Sequence, residues 1–217
     1  MISAVVAVAI ALLWTAAGWA TWTLAEYVLH RWAMHEIPGK GIISREHLRH
    51  HADPTSTNWL LTILSWIGIA LIAATVAVIG WLVGGALGLQ FGVGFAVGYV
   101  FYEAMHWRSH WREPVGLIRV YDLHMRHHHF HHHFGHPMSN HGVTLKLWDR
   151  VFGTLEPAGR VKVPRRLAPA WLMDDDGAIR PEYRFDYEIV GAAPGGNDER
   201  RAALARARAF ANLVPTE

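Results

Sequence analysis

Nine of the chain's sixteen histidines fall between Asp122 and Thr154, in the stretch DLHMRHHHFHHHFGHPMSNHGVTLKLWDRVFGT. Imidazole is the commonest protein metal ligand, so this density predicts metal binding; a low-complexity tract that chelates without fixed geometry is the bland alternative. Spacing says more than number. Four groups stand out along the chain: His30 and His35; His47, His50 and His51; His106 and His110; and His124, His127 and His128. On a helix turning 100° per residue, His-x-x-His-His puts three imidazoles on one narrow arc and His-x-x-x-His puts two there. The first pair breaks the pattern, because five residues leave its rings about 140° apart on an ideal helix. Either that helix is distorted or its two histidines face different metals. Ten imidazoles are too many for one ion, and two metals sharing ten is the arithmetic that works.

The elements that must position these groups are apolar. Of the 217 residues, 52% are hydrophobic; the first charged residue is Glu26, and none lies between Asp53 and Glu103. A spanning helix needs about 20 apolar residues, so the second gap fits a two-helix hairpin. The expected fold is an all-α integral membrane helical bundle of about three to four spans, with a cytoplasmic histidine-box cap and a short polar C-terminal tail. Spans are expected at 2–24, 59–79 and 89–102, with a charge-free turn at 80–88 whose glycines, with Gly92, Gly94 and Gly98, allow close helix approach or make a flexible tip. A cleaved signal peptide is the weaker reading of the first span, which lacks a basic n-region. Pro38-Gly39-Lys40-Gly41 breaks the first helix.

All 20 Lys and Arg follow residue 30 and avoid the hairpin, which predicts that the histidine groups and the C-terminus face the cytoplasm. Stretches 37–43 and 114–120 are candidates to lie along the headgroups. The division expected is a membrane domain at 1–157 and a tail at 158–217 with a final helix over DERRAALARARAFANL, capped by Asn197 or Asp198. With no cysteine there is no disulfide, thiolate site or Cys nucleophile, and a net charge of +2 suggests no nucleic-acid partner.

The four histidine groups, followed by Asn140-His141-Gly142-Val143-Thr144 and Trp148-Asp149-Arg150-Val151-Phe152-Gly153-Thr154, resemble the membrane fatty acid hydroxylase and sterol desaturase superfamily over about residues 20–157. The resemblance implies that the ten grouped histidines ligate two iron ions, with zinc as a substitute in purified protein, and that Glu26, Asp122, Asn140 and Asp149 orient imidazoles. His131, His132 and His141 are held open as additional ligands, and ligand status is not carried over to His129, His133 or His136. The activity implied is dioxygen-dependent hydroxylation or desaturation of an unactivated C–H bond in a membrane lipid, fatty-acyl or sterol-like.

No haem or flavin fingerprint is visible, so electrons are expected from a separate protein, a cytochrome or a ferredoxin with its reductase. It would dock near Arg108, Arg112, Arg119 and Arg126, which also suit anionic lipid. A carotenoid ring hydroxylase is the runner-up, disfavoured by the WDRVFGT ending. A metal transporter or chelator is the non-enzymatic alternative, disfavoured because the spans carry no ionisable residue at mid-membrane.

Overall fold

The computed structural model describes residues 3–37, 39–54 and 59–191. The expected C-terminal helix lies outside the described residues, as do Ile2, at the start of the first span, and Pro38, in the expected helix break. The chain forms two compact units, one from residues 1–26 and 58–103, the other from 27–57 and 104–217. The boundary expected at residue 157 falls inside the second unit.

The first unit is helical. It holds most of α1 (Ala4–Val28) and the greater part of α3 (Trp59–Trp111). Among the described residues two helices are long and apolar enough to cross a membrane, Ala4–Glu36 and Trp66–Trp111. The second is bent: at Gly85 the backbone takes φ 56° and ψ −135°, a conformation open to glycine because it has no Cβ. Beyond the bend the two halves lie antiparallel, with Gly88 against Gly80 and Gly92 against Ala77. A methyl group on Gly88 would overlap the Gly80 carbonyl, and one on Gly94 would overlap that of Thr15 on α1. Gly84 and Gly85 sit at the open tip, whereas Gly88, Gly92, Gly94 and Gly98 are the close-approach set. Trp22 is buried edge-on to Phe95 and Tyr99, while Leu12, Leu13, Leu71, Leu82, Val83 and Val100 point outward, an apolar exterior that suits lipid.

In the second unit α1 passes into a π-helix, Leu29–Glu36, followed by α2 (Ile42–Ala52), the end of α3, α4 (Arg119–Phe134) and the short α5 (Leu147–Val151). The all-α expectation needs one correction. Residues expected to be a polar tail form two strands, β1 (Val161–Pro164) and β2 (Tyr187–Val190), paired in parallel with Val161 opposite Tyr187. At four residues each they are too short for a period to be read with weight, although Val161, Lys162 and Val163 alternate buried and exposed. Val161, Val163, Leu167, Trp171, Leu172, Tyr183 and Tyr187 bury against Phe130 and Phe134 of α4. Each large side chain so buried contributes about 1.5–3 kcal/mol, enough to fix which face of α4 turns outward.

Candidate metal centre

The π-helix settles the geometry of the first histidine pair. Its bonds run from residue i to i+5, as in the 3.0 Å contact from the Ile37 amide to the Trp32 carbonyl. Residues five apart then stand one turn apart on a single face, so the distorted helix, and not a division between metals, accounts for His30 and His35.

Ten histidines converge in two groups of five, each with one nitrogen per ring within 4.8 Å of all the others. The first group is His30, His35, His47, His51 and His132, all buried; the second is His50, His106, His110, His129 and His133. In α2, His47 and His51 serve the first group and His50 the second. In α4 the division is reversed, with His132 in the first and His129 and His133 in the second. The His51 and His133 rings stack across the two groups at 4.1 Å.

Seven of the ten expected ligands are brought together: His30, His35, His47, His50, His51, His106 and His110. The structure places the other three elsewhere. His124 is exposed; His127 donates from Nε2 to the Gly159 carbonyl at 2.8 Å; His128 meets the Asp149 carboxylate at 3.0 Å. In their place stand His129, His132 and His133, a second His-x-x-His-His triplet five residues on. Spacing cannot choose between the two triplets. The signal that could have is the apolar stripe of Phe130 and Phe134, which buries in the tail core and turns the second triplet inward.

The nitrogens are arranged for an ion and not for one another. In the first group His47 Nε2 lies 2.9 Å from His30 Nε2, 2.8 Å from His35 Nε2 and 3.0 Å from His51 Nε2. One ring nitrogen carries one hydrogen or one lone pair, so at most one of these contacts is a hydrogen bond. Two metal–nitrogen bonds of ~2.1 Å at a right angle put their nitrogens ~3.0 Å apart, which matches the spacing. In the second group His110 and His129 approach at 3.1 Å, and the Nε2 atoms of His50 and His133 are buried without a partner. The residues present therefore fit a metal in each group.

Protonation agrees. Burial holds His47, His51, His129, His132 and His133 well below the ordinary imidazole value, and His50 is pushed down to about 4. Neutral rings expose the lone pairs a metal needs. The tautomer is set at two of them: His30 Nδ1 donates to the His141 carbonyl and His132 Nδ1 to the Ser139 carbonyl at 2.7 Å, which leaves both Nε2 atoms bare.

Both carbonyls belong to one loop, and the Asn-His-Gly and Trp-Asp motifs hold it. The Asp149 carboxylate accepts from the His141 amide at 2.7 Å, the Gly142 amide at 2.8 Å and the Thr154 hydroxyl at 2.7 Å. Burial alone would raise its pKa, but these donors together with His128 hold it below the usual carboxylate range. Asn140 adopts φ 56°, tolerable for Asn, and exchanges hydrogen bonds with the Glu156 backbone at 2.8 and 3.0 Å. Asp122 instead forms a buried ion pair with Arg126 at 2.6 Å and contacts Arg108 at 3.2 Å. Arg126 is therefore interior, not part of a docking surface. Glu26 is buried in the first unit. Of the surplus histidines, His131 and His136 both reach Glu156.

The model of the fatty acid hydroxylase family matches residues 15–154. The chain belongs to that family. Every histidine of the two groups lies inside the matched region, as does the loop that orients His30 and His132. Membership implies an oxidoreductase of the lipid hydroxylase and desaturase kind, and the two apolar helices are consistent with a membrane protein. No curated protein and no solved structure gives a significant match.

Proposed function

We propose that this chain is a dioxygen-dependent di-iron membrane oxidoreductase that hydroxylates, or desaturates, an unactivated C–H bond of a fatty-acyl or sterol-like lipid. The observation that carries the reading is the pair of five-histidine groups inside a family match. His30, His35, His47, His51 and His132 would hold one iron, and His50, His106, His110, His129 and His133 the other. When bound, the iron pair supplies the oxidising chemistry with dioxygen that no side chain of a cysteine-free chain can provide.

The chain's own residues do the rest. Buried neutral rings bind, the Ser139 and His141 carbonyls orient, and the packed tail over α4 keeps water from that side. In hydroxylation one oxygen atom enters the C–H bond and the other leaves as water, which takes two electrons and two protons from outside the chain. A separate cytochrome, or a ferredoxin with its reductase, would deliver the electrons. With the bend at Gly85 dividing α3, we read three crossings, the histidine groups and C-terminus facing the cytoplasm.

The test is to express the full chain with a reductase system and profile host lipids for gain of one oxygen or loss of two hydrogens, beside a His132→Ala control. A new product absent from the control is expected. An unchanged lipid profile from iron-loaded protein would overturn the reading.

A further inference from the structure

Resting on the reading of the two groups as metal positions, the next inference concerns a histidine that neither group contains. His141 is fully buried, and its ring centroid lies 5.5 Å from that of His30, 5.5 Å from His35 and 5.3 Å from His132. These separations are close to those within the first group, where His30 and His35 stand 5.2 Å apart. Edge-on contact with the Tyr27 ring at 5.8 Å helps hold the imidazole in place.

Its two nitrogens are differently placed. Nε2 lies 3.2 Å from the Met138 carbonyl, which can only accept, so Nε2 carries the hydrogen. Nδ1 is buried with no partner. With the hydrogen on Nε2, Nδ1 is a bare acceptor. An unsatisfied buried acceptor costs stability, and a donor from outside the protein would remove that cost. The first group offers five nitrogens, one short of an octahedral set. In the second group His50 and His106 are only partly buried.

We propose that His141 is a positioning residue of the first metal position, its Nδ1 accepting a hydrogen bond from a water molecule that completes that position. The two positions are then inequivalent: the first is closed by a held water, and the second is the one open to exchangeable ligands.

The test uses full-length protein in detergent, stripped with chelator and titrated with cobalt(II), whose absorption reports each position. Three variants separate the parts of the ring. His141→Phe removes both nitrogens, His141→Gln keeps a polar atom near the Nε2 place only, and His141→Asn keeps one near Nδ1. Wild-type protein is expected to bind two cobalt ions. His141→Phe and His141→Gln should weaken one of the two about 10- to 100-fold, the range for partners that act through a ligand, while His141→Asn stays near wild type. Equal wild-type affinities in all three variants would overturn the proposal, as would equal loss in His141→Asn and His141→Gln, which would mark a packing role. Helical content by circular dichroism shows which variants have folded. Failure of the wild type itself to bind cobalt would instead overturn the metal-centre reading on which the proposal rests.

Discussion

Helix α4 carries the same triplet twice, and the two copies have different fates. His124, His127 and His128 face solvent, the Gly159 carbonyl and Asp149; His129, His132 and His133 face the two five-histidine groups. Ligand spacing states only which rings share a helix face, and the rotation of the helix states which face matters. That rotation is fixed by Phe130 and Phe134, which turn towards the tail core, and by the buried Asp122–Arg126 pair, which continues the face carrying His129 and His133 towards the start of the helix.

The largest contrast should come from single truncations on each side. His132→Ala or His133→Ala should lose one bound metal and lower activity at least ~100-fold, beyond the range for outer partners, as read by metal analysis and product formation. Metal retained at wild-type level in both would mean that the second triplet is not the ligating one.

Loosening the helix should blur the contrast. Asp122→Ala leaves Arg126 buried without its charge partner, and a loss of about 3–5 kcal/mol is expected in chemical unfolding in detergent. Acid should act on the buried rings that face the two groups, His50 of α2 among them. Unfolded chains protonate imidazoles below their ordinary value of 6.5, whereas folded His50 resists until about 4. Stability should therefore be level above that window and fall as pH drops through it. Stability that rose on acidification would contradict the buried neutral rings.

Within the first triplet, His128→Ala should have a moderate effect. It removes one donor from Asp149, at a cost of about 1–3 kcal/mol, without removing a metal. The smallest effect is expected at His124, where replacement by alanine should change stability by less than about 0.5 kcal/mol. A large effect there would reverse the comparison.

Much of this was legible in the sequence. The charge gap between Asp53 and Glu103 marked the paired helices, and the spacings of His47, His50, His51, His106 and His110 marked histidines that the structure brings together. The α4 register was not legible, because both triplets satisfy the same angular rule and the deciding contacts come from Val161 to Tyr187, some thirty to fifty residues away. The strands were hidden for a related reason: each is only four residues long, and Val161, Val163 and Tyr187 bury against α4. The Asn140 and Asp149 motifs were visible, but not that they act through backbone carbonyls.

The π-helix at Leu29–Glu36 makes helix pitch a variable in the ligand code. Four residues between His30 and His35 do here what three residues between His106 and His110 do on an ordinary helix. Removing one residue from Arg31–Met34 would rewind the stretch to the tighter pitch and restore a four-residue interval on the same face. The extra residue is thus a length of slack stored next to the site, and an insertion at this point can be absorbed by the backbone without being passed on to the ligands.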